Sequence, residues 1–370
     1  MKKTIVVKVG TSTLTEEGNS LKRRAFAELA RQIAQMMEEG HKVILVSSGA
    51  TAAGRELLRT KGSESEAAAK QMLASVGQSQ LMRVWAEIFS NHDITVGQIL
   101  LTRSDFLSRT RYLNIRDTLE ALLESGILPI INENDPVATK ESFVGDNDNL
   151  AARICNMSAA DLFVILTNQQ GLFDKDPSKH RDARHIPEVK RIDQTILKMG
   201  KKSTSKGGTG GMSTKIEAAE LASHSGTTTH ICTLKEKDVL IRLAAGEALG
   251  TRFLASTTPL ESRKRWLMAE ATQGTLQVDR GAAEKIKKEG VSLLAVGIVS
   301  VEGKFDRGAG VKIVSAEGEI LGVGLSNYNS GDIALLKGVH SSEIEERLGY
   351  SFGPEIIHRD NFAPITLHES

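Results

Sequence analysis

The sequence predicts an α/β fold, a three-layer sandwich with a mainly parallel sheet between helices, followed by a small, mostly β domain. Through about residue 235, short apolar runs alternate with amphipathic helical stretches, the order that gives parallel strands covered on both faces. Beyond about Leu254 the texture changes to short strands parted by Glu302-Gly303, Glu317-Gly318 and Asn329-Ser330-Gly331. A chain of 370 residues with 40% apolar content suits two cored domains. The expected division is 1–255, a linker at 256–272, and 273–370 with the C-terminal tail.

Each element has its own signal. Ile5 to Val9 reads as the first strand. Leu21 to Glu39 reads as a helix with Phe26, Leu29, Ala30, Ile33, Met36 and Met37 on its core side, ended by Gly40 in a left-handed cap. Val43 to Val46 is a continuous apolar strand that runs into Ser47-Ser48-Gly49-Ala50. Two helices are expected next, Glu66 to Val76 and Ser79 to Ser90, then a strand from Ile94 to Leu101. A helix from Arg111 to Glu124 precedes a strand at Ile127 to Ile131, which ends in Asn132-Glu133-Asn134-Asp135. A helix from Asn149 to Asn156 leads to a strand at Asp161 to Leu166, which stops at Thr167-Asn168-Gln169-Gln170-Gly171. After the linker and its basic run Arg263-Lys264-Arg265, strands are expected at Thr275–Val278, Leu293–Leu294, Ile298–Val301, Val311–Val314 and Ile320–Leu325, with a helix from Gly281 to Lys288.

Charge and cysteine content exclude several function classes. With 47 basic and 46 acidic side chains the net charge is +1, which argues against nucleic acid or an anionic membrane as the main partner. Cys155 and Cys232 sit in apolar-flanked segments and read as buried thiols in a reducing compartment. The start, Met1 to Lys8, reads as a strand rather than a secretory leader, and no apolar run approaches the roughly 20 residues of a membrane span. A cytoplasmic protein with no membrane partner is the expectation.

In open parallel sheets ligands sit beyond the carboxyl ends of the strands, so the polar turns should converge on one site. The most informative segment is Gly207-Gly208-Thr209-Gly210-Gly211-Met212-Ser213-Thr214-Lys215, which runs into a helical pattern. Its glycines let the backbone approach a polyanion, the first-turn amides and hydroxyls donate to it, and Lys215 adds a full charge. It lacks the Gly-Lys-Ser/Thr ending of a Walker A loop. Lys8-Val9-Gly10-Thr11-Ser12 offers a second lysine beside a small-residue turn, and Ser47-Ser48-Gly49-Ala50 offers donors to a carboxylate. Asn132 to Asp135 and Gly145-Asp146-Asn147-Asp148-Asn149 form a dense acidic and amide constellation, which needs magnesium, a substrate ammonium or lysines beside it. No His/Cys pattern suits a transition metal, and no Gly-x-Ser-x-Gly elbow occurs.

Lys8–Ser12, Val46–Ala50, Ile131–Asp135, Val144–Asn149 and Gly208–Lys215, in that order and spacing, resemble the amino acid kinase family. The likeness is nearest to its glutamate-phosphorylating members. It continues through Pro259 to Trp266 into a tail similar to a PUA domain, with Val278-Asp279-Arg280-Gly281-Ala282-Ala283, Ser292-Leu293-Leu294 and Gly297-Ile298. The resemblance implies transfer of the ATP γ-phosphoryl group to the γ-carboxylate of L-glutamate, with Mg2+, as the first step of proline biosynthesis. It implies that Lys8 and Lys215 grip the phosphoryl group and that Asp148 orients the lysines or the magnesium. It further implies that Ser48, Asp135 and Asn147 contact glutamate, Asp135 meeting the ammonium while Ser48 and Asn147 donate to carboxylate oxygens. Lys8, Thr167, Asn168, Thr209, Gly210, Gly211, Met212, Ser213, Thr214 and Lys215 match nucleotide-contacting positions; no direct metal ligand is assigned.

Two departures stand out: Thr167-Asn168 where Thr-Asp is common, and Gln170 where lysine is common. Pro136 also stiffens the turn after Asp135. A homodimer or homotetramer, and functional coupling to the next enzyme of proline biosynthesis, follow from the resemblance alone. The rival readings are a related kinase acting on acetylglutamate, aspartate, carbamate or a nucleotide monophosphate, and an RNA-binding protein acting through the PUA-like tail. Near-zero net charge and few aromatic residues in the tail argue against tight RNA binding.

Overall fold

A computed structural model describes residues 2–16, 20–59, 67–138, 147–202, 211–258 and 272–364. The chain divides into two compact units, Met1–Leu107 with Ile115–Pro259, and Ser108–Asn114 with Leu260–Ser370. The basic run at 263–265 and most of the expected linker lie outside the described residues.

In the first unit, β1 (Thr4–Val9), β2 (Lys42–Ser47), β3 (Val96–Leu101), β4 (Leu128–Glu133) and β5 (Leu162–Thr167) are the apolar runs of the sequence. A short hairpin, β6 (Leu172–Phe173) with β7 (His185–Ile186), stands apart. With β8 (Glu188–Val189), β9 (Thr228–Thr233) and β10 (Thr251–Phe253), the first five strands form a sheet in the order β3-β4-β2-β1-β5-β9-β10-β8. Every neighbouring pair is parallel except β10 against β9. The mainly parallel prediction therefore holds, and the two edge strands β10 and β8, which run against the other six, were not anticipated.

Helices cover both faces. The crossovers are α1 (Thr11–Leu14), α2 (Arg23–Glu38), α3 (Ala50–Leu58), α4 (Ala67–Ser90), α5 (Arg103–Leu107), α6 (Arg109–Glu124), α7 (Asn147–Ser158), α8 (Gln194–Lys202), α9 (Met212–His224) and α10 (Val239–Ala244). Ile5, Val7 and Val9 of β1 pack in one core with Phe26, Leu29 and Ile33 of α2 and Trp85 of α4. Because side chains alternate along a strand, Val6 and Lys8 face the other way. That opposite face carries α7, which packs on β1, β2, β4 and β5, with α9 beside it. The alternation is what sends an otherwise buried Lys8 to the face where α7 begins.

One expectation fails instructively. Two helices were expected, with Gly77 and Gln78 between them, yet α4 runs unbroken from Ala67 to Ser90. Gly77 is there because α3 crosses α4 at near-contact: a Cβ on Gly77 would lie 1.8 Å from the Ala50 carbonyl oxygen and 2.4 Å from the Gly54 nitrogen. The glycine serves helix packing, and its local cost is met by that contact.

The second unit is a five-stranded sheet in the order Ile298–Glu302, Thr272–Val278, Gly310–Val314, Ile320–Leu325, Phe362–Pro364. The helix Arg280–Glu289 starts at Asp279, whose carboxylate accepts from the Ala282 amide at 2.7 Å. Asn329 was expected in a turn; its side chain instead caps the helix Ser330–Leu336 by accepting from the Asp332 amide. The core of this unit joins Leu276, Val311 and Ile313 to Tyr328, Ile333 and Ile356.

Candidate active site

The carboxyl ends of β1, β2, β4 and β5 lie side by side, because Val9 pairs with Ser47 and with Leu166, while Val46 pairs with Ile131. Just beyond them follow Gly10, Ser48, Asn134 and Asn168. Four strand ends thus deliver polar turns to one edge.

At this edge Lys8, Asp148 and Lys215 meet. Lys8 Nζ lies 2.5 Å from Asp148 Oδ1, and Lys215 Nζ lies 3.0 Å from Asp148 Oδ2. Asp148 is fully buried, and the two lysines are 5% and 8% exposed, so the groups act on each other with little screening. Burial works to raise the Asp148 pKa, and the charges of Lys8 and Lys215 outweigh it, leaving the carboxyl below its usual range. Two ammonium groups against one carboxylate leave one positive charge in surplus. Such a set is costly to bury unless an anion joins it.

The lysines are positioned by their elements. Lys8 is the fifth residue of β1, and Gly10 leaves open the space beside its ammonium, where a Cβ would come within 3.4 Å. Lys215 stands in the first turn of α9, whose N-cap, Gly211, supplies no side-chain cap. The first amides of that helix are therefore available to an anion. Thr214 Oγ1 donates to Asp148 Oδ2 at 3.2 Å and ties the same turn to the triad. Thr209 and Gly210 lie outside the described residues, while Gly211, Met212 and Ser213 open the helix.

A second cluster adjoins the first through consecutive residues of α7. Asn147 Nδ2 donates to Ser48 Oγ and to Asn132 Oδ1, each at 2.8 Å. Gly49 takes φ +112°, a left-handed value that suits glycine, and so turns the chain from β2 into α3 with Ser48 at the corner. Asn147 was expected to donate to a carboxylate, yet both its N–H bonds are already engaged. Its Oδ1 is buried without a hydrogen-bond partner and presents an acceptor instead. Asp135 lies in a short 3-10 turn directly after β4, with Pro136 next to it. Burial raises the Asp135 pKa above the ordinary carboxylate value.

Thr167 ends β5, and Asn168 follows it in the open, donating from Nδ2 to the Ser12 carbonyl at 3.3 Å. An aspartate could not make that bond, so the amide here ties the β5 turn to the β1 turn. Sequence reasoning missed Gln78 of α4, whose Oε1 accepts from Asn132 Nδ2 at 2.8 Å. Nothing in its helical context marks it. Among the described residues no group of three His, Cys, Asp or Glu side chains could hold a metal ion, and both Asp148 oxygens face ammonium groups.

The family model described as "Amino acid kinase family" matches residues 3–233, which contain every residue of this site. The chain belongs to the amino acid kinase family. A second model, the PUA domain, matches residues 274–348. Among similar amino acid kinases, a glutamate 5-kinase of Shewanella oneidensis is 48% identical over 98% of this chain and 97% of its own length. Those of Pasteurella multocida and Herpetosiphon aurantiacus are 47% and 48% identical, over 97% and 96% of this chain and 98% and 97% of theirs. The likeness therefore spans both units rather than the kinase part alone.

Proposed function

We propose that this chain is a glutamate 5-kinase, using ATP to phosphorylate the γ-carboxylate of L-glutamate at the start of proline biosynthesis. The observation that carries this reading is the buried Lys8–Asp148–Lys215 triad with its surplus positive charge, joined along α7 to the Ser48–Asn147 cluster. In the reaction a γ-carboxylate oxygen forms a bond to the γ-phosphorus as the bond from that phosphorus to the β–γ bridging oxygen breaks, giving γ-glutamyl phosphate and ADP. The nucleophile is already an anion at neutral pH, so no general base is needed. Catalysis then rests on alignment and on neutralising charge at the phosphoryl oxygens.

Lys8 and Lys215 hold the phosphoryl group from two sides, and Asp148 keeps both ammonium groups aimed. Asp135 and the Asn147 oxygen receive the substrate ammonium, while the Ser48 hydroxyl donates to a carboxylate. Thr167, Asn168 and Thr209 to Lys215 hold the nucleotide, with the N-terminus of α9 beneath its phosphates. Magnesium would accompany ATP as the counter-ion of its phosphates and would help neutralise charge on the phosphoryl oxygens. The same reading keeps the kinase domain at 1–255 and the PUA-like domain at 273–370, and expects a cytoplasmic homodimer or homotetramer.

An acceptor screen with ATP and magnesium, trapping acyl phosphate with hydroxylamine, tests the reading. Glutamate should give hydroxamate, and acetylglutamate and aspartate should give little. A preference for acetylglutamate, which has no ammonium for Asp135 to meet, would overturn it.

A further inference from the structure

The direction of a side-chain amide is set by neighbours that can act only one way. The main-chain N–H of Glu133 can only donate, and it meets Asn132 Oδ1 at 2.9 Å. That contact fixes the Asn132 oxygen, which then accepts from Asn147 Nδ2 as well. Asn132 Nδ2, on the other branch, donates to Gln78 Oε1. Asn147 gives its second hydrogen to Ser48 Oγ, so the Ser48 hydroxyl proton and Asn147 Oδ1 are the two ends left for a ligand. A backbone amide thus dictates the polarity of a chain that runs Gln78, Asn132, Asn147, Ser48.

We propose that Gln78 is a positioning residue for the acceptor substrate: by accepting from Asn132 it holds the amide chain in the orientation that presents Asn147 Oδ1 to the substrate ammonium and the Ser48 hydroxyl to a substrate carboxylate. The inference rests on the reading that Ser48 and Asn147 hold glutamate. Asn132 is 4% exposed, so without the Gln78 oxygen its Nδ2 is a buried donor with no acceptor. Flipping the amide is no remedy, since Nδ2 would then face the Glu133 N–H and the Asn147 amino group. The side chain must tilt instead, and Asn147 and Ser48 move with it. Gln78 touches neither nucleotide nor the lysine triad in this scheme, so its effect is confined to the amino acid.

The test compares Gln78→Met, which keeps the length and removes the acceptor, with Gln78→Glu, which keeps an acceptor oxygen, and with Asn147→Ala. KM for glutamate, KM for ATP, kcat and Tm are measured for each. Gln78→Met is expected to raise the glutamate KM roughly tenfold, with the ATP KM and kcat within about threefold of the parent, and Gln78→Glu to recover most of that loss. Gln78→Ala replaces Gln78→Met if the methionine variant does not fold. An unchanged glutamate KM in Gln78→Met, with a raised one in Asn147→Ala, overturns the relay and leaves the site reading intact. Parallel rises in both KM values with a lowered Tm and no rescue by glutamate mark a merely structural role and also overturn it. If Asn147→Ala leaves the glutamate KM unchanged, the site reading falls and the relay with it.

Discussion

At the scale of single residues, the surplus charge of the triad implies a division of labour between Lys215 and Asp135. Lys215→Ala removes one preorganised donor aimed at the migrating group, so kcat should fall at least ~100-fold. Steady-state kinetics checks this, and a near-normal kcat would take Lys215 out of the chemistry. Asp135 titrates on the other side of the argument. Its pKa is raised by burial, so the empty site keeps its proton at a pH where an ordinary aspartate has lost it. The substrate ammonium needs the carboxylate, hence glutamate binding should tighten as pH rises through that raised pKa and level off above it. Asp135→Asn should show a higher glutamate KM without this added slope; a parallel pH profile in both proteins would assign the titration to glutamate itself. Lys8, Asp148, Ser48 and Lys215, which the fold brings to one sheet edge, could be singled out in the sequence because each lies beside a strand end or a helix start. The polarity of Asn147 was not legible, since it depends on a backbone N–H at the end of β4, reached only through the Asn132 side chain.

At the scale of elements, the crossing of α3 and α4 links packing to the site. α3 starts at Ala50, immediately after Ser48 and Gly49, and α4 carries Gln78 next to Gly77. Gly77→Ala puts a Cβ against main-chain atoms that have no flexible end to yield, at 1.8 Å and 2.4 Å. Overpacking of this kind costs about 1–3 kcal/mol or more, so Tm should drop, and the displaced helices should raise the glutamate KM of whatever protein remains folded. A thermal melt and kinetics on the same preparation test both parts; an unchanged Tm would mean that the helices stand farther apart. Glycine at a crossing and glycine at a break have the same local signature, so the sequence could not tell one long helix from two. β1 was readable as a strand, but it is buried on both faces and shows no alternation, so the face that Lys8 takes was not. The antiparallel β10 was not, because three residues are too few to show a pattern.

At the scale of the whole molecule, the PUA match at residues 274–348 raises the question of RNA, and charge answers it. A net charge of +1 supplies no long-range pull on a polyanion. The cations of the helix Arg280–Glu289 are largely spent nearby: Arg280 and Lys288 pair with Glu284, and Lys287 pairs with Glu319 at 2.5 Å. The aromatic rings are engaged too. Phe352 lies 3.8 Å beneath the Arg307 guanidinium and edge-on to Tyr350, whose hydroxyl donates to Asp332. Recognition of unpaired bases wants open aromatic faces and a basic surplus; Tyr350 and Phe352 are exposed at 40% and 42%, yet their rings are already in contact with each other and with Arg307, and the cations of the helix Arg280–Glu289 are largely paired. Binding to structured RNA at physiological salt should therefore be no tighter than about micromolar, the range of non-specific contact. A filter-binding titration at several salt concentrations decides it: submicromolar affinity that weakens steeply with salt would show that the acidic partners of Arg280, Lys287 and Lys288 are displaced by phosphate.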